Sequence, residues 1–468
     1  MAKTNVAAVN NERTFEGAHA RIPVPVSQLE RQVATCMLFE NTFYESGSQI
    51  AAEIAETCAR VNPMEIAAMA IKARNDFKLR HVPLFLLVQL NKRRAENPGL
   101  LRAMVTAVVQ RPDEMGEFLS LLQKDPANNG KSLKKIVSAQ VKRGLADAFK
   151  KFSPYQLAKW NRDSVIKLRD VLFITHAKPK TGVKGFVREA RKHGVTTPDD
   201  IGSQTFAGIV DGTLESADTW EAALSAGKDK RETWERLLTE NKLGYMALLM
   251  NLRNMEEAKV NRVFVEKALL DGALGSRALP FRFISAVKHA PAYAQALSDA
   301  MLKAISTEEK LHGSTSLMID VSGSMDVPIS DKSTMLRWEA AAALGILLRE
   351  ICDGVRVFTF SDHLSEVKNL RGIGMIDGVN HSQSHNGTYL GVSLKELFSK
   401  TIPDRVIVIT DEQSHDDVSK PNACRGYIVN VAPYRPALDL SGDWVRVSGF
   451  SERIVDWIRY EESTEAAK

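Results

Sequence analysis

The sequence predicts a multidomain chain in which an all-α helical-repeat region is followed by an α/β doubly wound domain. Through the first 300 residues, apolar positions recur at three- and four-residue spacing, as on the buried face of amphipathic helices. From about Leu311 onward, short apolar and β-branched segments alternate with helical ones, which is typical of a parallel sheet with helices on both faces. The 468 residues are enough for two or three domains.

Consecutive helices are predicted between about Leu29 and Thr307. Their breaks fall at Asn-Pro, Arg-Pro and Asn-Asn-Gly, which commonly end helices. Helices of this length joined by short turns stack as an α-solenoid, here without a strict sequence period. The clearest predicted helices are 50–61, 64–77, 82–96, 100–110, 114–123 and 132–152.

The second region predicts five strands and three helices. About 150 residues is an ordinary size for one domain, so we predict a first domain at 1–308 and a second at 309–468. The predicted helices are 334–353, 389–400 and 451–462. The predicted strands are 314–321, 354–361, 404–411, 426–433 and 444–451.

Charge is unevenly divided between the two regions. Residues 1–300 carry 44 Lys and Arg against 33 Asp and Glu, whereas residues 301–468 carry 18 against 24. Within 101–192 there are 20 basic and 8 acidic residues. A polyanion such as nucleic acid is a natural partner for such an excess, and a solvated basic face is the alternative.

Several protein classes do not fit the sequence. Four scattered cysteines without CxxC spacing indicate neither a disulfide framework nor a structural zinc site. No run of about 18 uncharged apolar residues occurs, and the first residues do not resemble a signal peptide. We therefore expect a cytoplasmic protein, monomeric and without a membrane partner.

Five oxygen-bearing side chains lie where loops of the sheet should converge. Asp320, Ser322 and Ser324 follow the first strand, Thr388 precedes a helix, and Asp411 ends the apolar strand RVIVIT. In an open parallel sheet, ligands bind beyond the carboxyl ends of the strands. Two carboxylates and three hydroxyls suit Mg²⁺, with Ca²⁺ or Mn²⁺ as alternatives. The other interpretation is that these hydroxyls cap helices.

DVSGSM, the later Gly-Thr and the later TDE resemble the metal-ion-dependent adhesion site of a von Willebrand factor A domain. The pattern of that site is DxSxS, then Thr, then Asp, and all five positions match here. The resemblance implies a Rossmann-like von Willebrand A domain at 309–468. It also implies a divalent cation with one position open to an anionic group of a partner.

Four stretches of the helical region, 80–90, 167–179, 233–255 and 276–291, resemble signature stretches of the TROVE module. That module belongs to the Ro ribonucleoprotein autoantigen family, in which a von Willebrand A domain follows it. The resemblance, to the prokaryotic type of Ro orthologue, implies a HEAT-like helical-repeat ring. It also implies binding of small noncoding Y RNAs on the outer basic surface and of single-stranded 3′ ends of misfolded RNA in the ring cavity.

The same resemblance implies where RNA is contacted. The spacing of Lys131, Lys134 and Lys135 also predicts that they share a helix face, although basic faces commonly only solvate. Trp160 is a candidate for stacking on a base, with core packing as the alternative. The RNA-contact candidates are Lys131, Lys134, Lys135, Lys159, Arg162, His176 and Lys178.

The sequence therefore predicts an RNA-binding protein rather than an enzyme, acting in RNA quality control or processing. The family implies an exoribonuclease partner such as polynucleotide phosphorylase. A metal-dependent protein-interaction scaffold is the alternative function, and a metal-dependent nuclease fits less well because no base is positioned. The glycine-containing stretch 372–378 is predicted to be a turn. His381 and His385 are predicted to be solvent-exposed loop residues, with a position beside the metal site as the alternative.

Overall fold

The computed structural model divides the chain into two compact units. We call Cys58–Asp229 the central unit, and Met1–Thr57 together with Lys230–Lys468 the sheet unit. The predicted domain limits, 1–308 and 309–468, stay a prediction. The structure describes residues 12–21, 23–35, 45–179, 198–215, 217–276, 278, 280–306, 309–329, 334–368, 370–434, 437–440, 444–449, 454–455, 458–459 and 462.

Helices make up the regular structure described in the central unit. Among the described helices, α1 (Pro25–Thr35) belongs to the sheet unit, and α2 (Gly47–Arg60) begins in the sheet unit and ends in the central unit. They are followed by α3 (Pro63–Asn75), α4 (His81–Lys92), α5 (Leu100–Val108), α6 (Asp113–Lys124), α7 (Leu133–Ile136), α8 (Ala139–Phe149), α9 (Pro154–Trp160), α10 (Leu168–Thr175), α11 (Pro198–Asp211) and α12 (Trp220–Ser225). Helices α2 to α6 confirm the first five predicted helices.

A local sequence signal explains where α3 begins. The Asn62 side chain accepts a hydrogen bond from Met64 N at 2.9 Å, while Glu65 accepts one from Asn62 N at 3.2 Å. This capping box satisfies N–H groups that the first helical turn leaves without partners. The same arrangement opens α9, so two helices begin at the Asn-Pro and Ser-Pro pairs of the sequence.

The core of the central unit includes most of α4, which buries every residue from Val82 to Asn91 and packs against α3 and α6. Helix α5 packs against α3 and α8. Gly144 allows the α5–α8 approach, because a Cβ there would lie 2.8 Å from the Cβ of Val105. Each helix thus contacts helices near it in sequence, as in repeat arrays. The predicted ring stays a prediction.

The prediction of one continuous helix over 132–152 is wrong. The pattern predicts an unbroken helix over 132–152, but the structure has two helices, α7 and α8, separated at Ser138. Ser138 has extended backbone and its hydroxyl accepts a hydrogen bond from the third N–H of α8, so it caps a new helix. Lys131 therefore precedes the single turn α7 and does not share a helix face with Lys134 and Lys135.

The sheet unit combines a helical part with a six-stranded sheet. Its helices before the sheet are α13 (Lys230–Thr239), α14 (Tyr245–Glu257), α15 (Arg262–Asp271), α16 (Pro280–His289) and α17 (Ala294–Ile305). The helices among the strands are α18 (Arg337–Ile351), α19 (Gly374–Asn380) and α20 (Leu390–Lys400). The strands are β1 (Ala20–Arg21), β2 (Leu311–Asp320), β3 (Cys352–Phe360), β4 (Leu364–Glu366), β5 (Arg405–Thr410), β6 (Arg425–Asn430), β7 (Ala437–Leu438) and β8 (Trp444–Ser448).

The six-stranded sheet has the order β4-β3-β2-β5-β6-β8, and its neighbouring strands are parallel except for β3 with β4. The short strands β1 and β7 pair separately and antiparallel. Helix α20 covers one face, where Leu394 and Leu397 share a core cluster with Met318. Helix α18 covers the other face, where Gly345 lies close to Ile319. The predicted α/β architecture, with helices on both faces of a largely parallel sheet, is confirmed.

The glycine-containing stretch 372–378 is not simply a turn, as the sequence predicted. Helix α19 begins at Gly374 and packs against α18. Met375 and Val379 are buried, and their four-residue spacing places both on one helix face. Because three of the seven residues 372–378 are glycine, which disfavours helix, the sequence does not predict this short helix.

The lengths of the helices bear on membrane insertion. The longest described helix, α18, has 15 residues, whereas a bilayer core requires about 20 residues of helix. None of the described helices is both long and apolar enough to cross a membrane.

Candidate metal centre and candidate RNA-binding surface

Three loops of the sheet unit carry the five predicted metal ligands. They are residues 320–326, which begin with the last residue of β2, residues 386–389 before α20, and residues 411–417 after β5, which we call the Asp411 loop. Strands β2 and β5 are parallel neighbours, so Asp320 and Asp411 lie at the same end of adjacent strands. Gly323 N donates to Asn386 O at 2.8 Å, which joins the first two loops.

Asp320 is completely buried at the end of β2. Its Oδ1 accepts a hydrogen bond from Ser322 N at 2.9 Å, and its Oδ2 accepts one from the Thr410 hydroxyl at 2.6 Å. Burial, and next the negative charge of Asp411, raise the pKa of Asp320 to about 7. The carboxyl group is therefore fixed in position, but its charged form is unfavourable without a nearby cation.

Asp411 is also completely buried. Its Oδ1 accepts a hydrogen bond from Gln413 N at 3.0 Å, whereas its Oδ2 has no hydrogen-bond partner among the residues that the structure describes. Burial raises the pKa of Asp411, although the positive charge of Arg337 and the Ser324 hydroxyl act in the opposite direction. A buried carboxylate oxygen without a partner requires an explanation, and a bound cation would provide it.

The three residues that carry the candidate hydroxyls, Ser322, Ser324 and Thr388, are also buried. Ser322 Oγ and Ser324 Oγ lie 3.3 Å apart, so the alternate spacing turns both toward one side of the loop. Thr388 O accepts hydrogen bonds from His415 N at 2.8 Å and from the Ser414 hydroxyl at 3.0 Å. These bonds tie Thr388 to the Asp411 loop. The donors are all hard oxygens, which fit a divalent cation such as Mg²⁺, and metal binding stays a prediction.

The sequence did not predict the buried charged residues that accompany Asp320 and Asp411. Arg337, at the start of α18, is buried, and its Nη1 donates to the Tyr434 hydroxyl at 2.8 Å. Glu412 is completely buried and forms an ion pair with Arg31 of α1. Although burial alone would raise the pKa of Glu412, the positive charges of Arg31 and Arg446 hold it below its usual value. No local motif indicates a contact between residues so far apart in the chain.

His385 corrects another prediction. Its side chain is only 13% exposed, although the sequence predicts a solvent-exposed loop residue. The ring packs edge-on against Trp338 at 5.5 Å, and its Nδ1 lies 3.6 Å from Asp326 Oδ1. His381 is exposed, as predicted, and directly follows α19. The two histidines therefore differ in environment despite their helical spacing.

The first group of RNA-contact candidates lies in what we call the basic segment, residues 131–143. Lys131 Nζ donates to a backbone carbonyl in the preceding turn at 2.7 Å. Lys134 and Lys135 are exposed on α7. Within the described ranges, no carboxylate pairs with these two lysines, nor with Lys142 and Arg143 on α8. Those last two cations were not singled out from the sequence.

The second group surrounds Trp160 at the end of α9. The Arg111 guanidinium lies 3.6 Å from the centroid of the indole ring, Arg162 lies at 4.8 Å, and Lys159 Nζ lies at 5.7 Å. Arg162 also pairs with Glu221 at 3.2 Å. Trp160 is half-buried and contacts cations, so it is neither a simple core residue nor an open stacking face. The contribution of Arg111 was missed.

The third group follows α10. His176 is exposed and ends the helix in left-handed backbone, with φ of 51°, and its N–H donates to Leu172 O at 2.8 Å. Lys178 is exposed two residues later. Both side chains are accessible for an RNA contact. Residues 180–192, the end of the predicted basic stretch, lie outside the described residues.

Comparisons with known proteins support the helical resemblance. The family model described as "TROVE domain" matches residues 212–341. Over 82 residues, or 16% of this chain, the sequence is 34% identical to telomerase protein component 1 of Rattus norvegicus and 35% identical to that of Mus musculus. The chain spans 3% of the length of these two relatives. The crystal structure of the Deinococcus radiodurans RO (RSR) protein is similar in fold, with a TM-score of 0.55 and 16% identity over 92% of this chain and 97% of that one.

The TROVE match covers residues 212–341 of a helix-rich chain that also contains an α/β sheet. The TROVE match at these residues and the similarity in fold to the Ro (RSR) protein agree with the predicted resemblance to the Ro family. The TROVE match extends to residue 341 and so continues past the predicted boundary at residue 308. The von Willebrand A assignment and the adhesion-type site stay predictions.

Proposed function

We propose that this chain is an RNA-binding protein that binds small noncoding RNA of the Y type through its basic segment. We further propose that it binds single-stranded 3′ ends of misfolded RNA in a ring cavity. In this proposal it acts in cytoplasmic RNA quality control or processing, as a monomer. It would present bound RNA to an exoribonuclease such as polynucleotide phosphorylase. Support comes from the TROVE match and the shared Ro fold.

The observation that carries the RNA proposal is the unpaired charge of the basic segment. Lys134, Lys135 and Arg143 are exposed, and no carboxylate described in the chain neutralises them. Phosphates of a polyanion can take that place, with release of bound counterions and a strong dependence on salt. Arg162 contributes less in this proposal, because it already pairs with Glu221.

We also propose that the sheet unit carries a divalent cation, preferably Mg²⁺, in a von Willebrand A type of domain. The partnerless Oδ2 of buried Asp411 is the observation that supports the site. When bound, the cation would supply positive charge that neutralises both buried carboxylates and an open position for an anionic group of a partner. Asp320, Ser322, Ser324, Thr388 and Asp411 would hold it.

We propose a binding role and no catalytic residue. Asp320 is buried and accepts two hydrogen bonds, and Asp411 lies beside it. In the described part of this site, neither acid is placed as a general base toward an open substrate position, as phosphoryl transfer would require. The alternative of a protein-interaction scaffold would use the same metal site without RNA.

Binding titrations of the purified full chain test the RNA proposal. A small RNA hairpin with a single-stranded 3′ tail is compared with the same hairpin lacking the tail, over a range of KCl concentrations. We expect log-linear weakening with salt for both RNAs and tighter binding of the tailed RNA. Binding that is absent, or independent of salt, would instead favour the scaffold.

A further inference from the structure

The Asp411 loop is held by a segment almost 400 residues earlier in the sequence, residues 14–19, which we call the clamp segment. The Thr14 hydroxyl donates to Ser414 O at 2.7 Å, and Phe15 N donates to Gln413 Oε1 at 2.8 Å. His19 N donates to Asp417 Oδ1 at 2.8 Å. Further contacts are Ala18 N with Ser414 O at 3.1 Å and Glu16 with His415 at 3.0 Å.

The opposite side of the loop is joined to the segment that contains Thr388. Asp416 accepts hydrogen bonds from Gly391 N at 3.0 Å and from Val392 N at 2.6 Å, at the start of α20. The Ser414 hydroxyl donates to Thr388 O at 3.0 Å. The loop is therefore fixed between the clamp segment and another of the predicted ligands.

The residue after Asp411 has an unusual conformation that also depends on the amino-terminal part of the chain. Glu412 has a φ of 61°, a left-handed conformation that side chains other than glycine adopt at a steric cost. Its carboxylate pairs with Arg31, and Leu438 N donates to its Oε2 at 3.1 Å. Strained conformations of this kind persist where surrounding contacts hold them.

Arg31 is placed to hold Glu412 and the Asp411 loop. It is 3% exposed, its Nε donates to Tyr434 O at 2.8 Å, and its Nη1 donates to Glu412. One guanidinium thus connects α1 with the Asp411 loop and with residue 434, next to β7. The clamp segment and Arg31 together contact Glu412, Gln413, Ser414, His415 and Asp417.

We propose that Arg31 and the clamp segment are positioning elements of the metal site, which hold Asp411 in the orientation that binds the cation. This inference rests on the proposed divalent-cation site. Groups that orient the ligands of a metal commonly change its affinity by about 10- to 100-fold when removed. Metal binding and the amino-terminal segment are then coupled, because each stabilises the same loop conformation.

Isothermal titration calorimetry, with MgCl₂ titrated into the full chain, tests whether Arg31 and the clamp segment determine the affinity for the cation. Arg31→Gln removes the ion pair with Glu412, and Thr14→Val removes a single buried hydroxyl. The matched control is Arg405→Gln, because Arg405 is 3% exposed and forms a two-point ion pair with Glu462 at the opposite end of β5 from Asp411. Circular dichroism and the Tm report folding of each variant, and Arg31→Lys tests rescue by a retained charge.

We expect the Kd for Mg²⁺ to rise about 10- to 100-fold in Arg31→Gln, by less in Thr14→Val, and partly to recover in Arg31→Lys. Arg405→Gln should lower the Tm without changing the Kd. A folded Arg31→Gln with wild-type affinity would overturn the inference, as would an equal loss in Arg405→Gln. If Arg31→Gln does not fold, Thr14→Val decides by the same criterion. A wild-type chain that binds no Mg²⁺ would overturn the metal site itself.

Discussion

The basic segment of the central unit and the helices α13 to α15 of the sheet unit both carry arginines and lysines. The two regions differ in whether these cations pair with carboxylates. In α13 to α15, arginines pair with a glutamate four residues later on the same helix. The pairs are Arg231–Glu235, Arg236–Glu240, Arg253–Glu257 and Arg262–Glu266, at 2.6 to 3.1 Å. In the basic segment, Lys134, Lys135, Lys142 and Arg143 have no such partner among the described residues.

A high content of arginine and lysine can therefore either stabilise helices or attract a polyanion. A pair at i, i+4 supports its helix by about 0.2–0.5 kcal/mol and leaves little net charge. Cations without partners add nothing to the helix, but they preserve the field that attracts a polyanion. The sequence count for 101–192 measures only the excess, whereas the structure identifies which cations remain available. Substitutions that change the cations of one region at a time test this difference.

The largest effect is expected from neutralising the available lysines. Lys134→Gln with Lys135→Gln should weaken binding of a small structured RNA by about 100-fold, because each lost charge-assisted contact to a phosphate costs at least about 1.5 kcal/mol. The slope of log K against log salt should fall by about 2. Fluorescence titration at several KCl concentrations measures both.

The control for that pair is Arg231→Gln with Arg236→Gln, which removes the same formal charge from paired cations of α13. RNA affinity should change less than twofold in the control. An equal loss in both double variants would mean that net charge alone determines binding, and the comparison between the two regions would not hold.

The second effect concerns the metal site and should leave RNA binding unchanged. Mg²⁺ at 100 times its Kd should stabilise the wild-type chain by about 2.7 kcal/mol. Asp411→Asn should lose this stabilisation, because it removes one of the two carboxylates. Thermal unfolding with Mg²⁺ and with EDTA measures it. Loss of affinity for the RNA hairpin in Asp411→Asn would contradict the assignment of RNA binding to the central unit.

A smaller effect should distinguish cations within the central unit. Lys178→Gln should weaken RNA binding by about tenfold, equivalent to about 1.4 kcal/mol, whereas Arg162→Gln should weaken it by only about twofold. Arg162 must first leave Glu221 to contact a phosphate. Titration of the two variants with one RNA gives the order directly, and the reverse order would contradict the role assigned to pairing.

The smallest effect comes from giving the basic segment a carboxylate of its own. Ala139, exposed at the first position of α8, lies four residues before Arg143. Ala139→Glu should weaken RNA binding a few-fold and raise the free energy of unfolding by about 0.3 kcal/mol, through the new i, i+4 pair. Ala139→Gln is the uncharged control and should do neither, as measured by titration and by urea unfolding.

Much of the fold follows from local pattern, and so does the convergence of the candidate ligands. The apolar strand before Asp320 and the strand RVIVIT before Asp411 are both buried, and parallel pairing of β2 with β5 brings their ends together. An argument from strand order alone therefore places the two aspartates side by side. The spacing of Ser322 and Ser324 similarly predicts that their hydroxyls meet.

Long-range contacts and the helix break at Ser138 could not be predicted in this way. The pairing of Arg31 with Glu412 joins two residues that have no local pattern in common, and only the packing of α1 brings them together. Ser138 interrupts an amphipathic pattern that is otherwise continuous, because its capping bond outweighs the periodicity. Helix α19 contains too many glycines for its sequence to predict a helix. Pairs at four-residue spacing on one helix can be predicted from sequence, whereas the pairing of Arg162 with Glu221 depends on packing.

The most direct test is to crosslink the protein to RNA in its own cells and sequence what is bound, with the Lys134→Gln, Lys135→Gln variant and the Arg231→Gln, Arg236→Gln control in parallel. We predict enrichment of one or a few small structured RNAs in the wild-type and control samples, and its loss in the lysine variant. Diffuse recovery of RNA that is the same in all three samples would contradict the account.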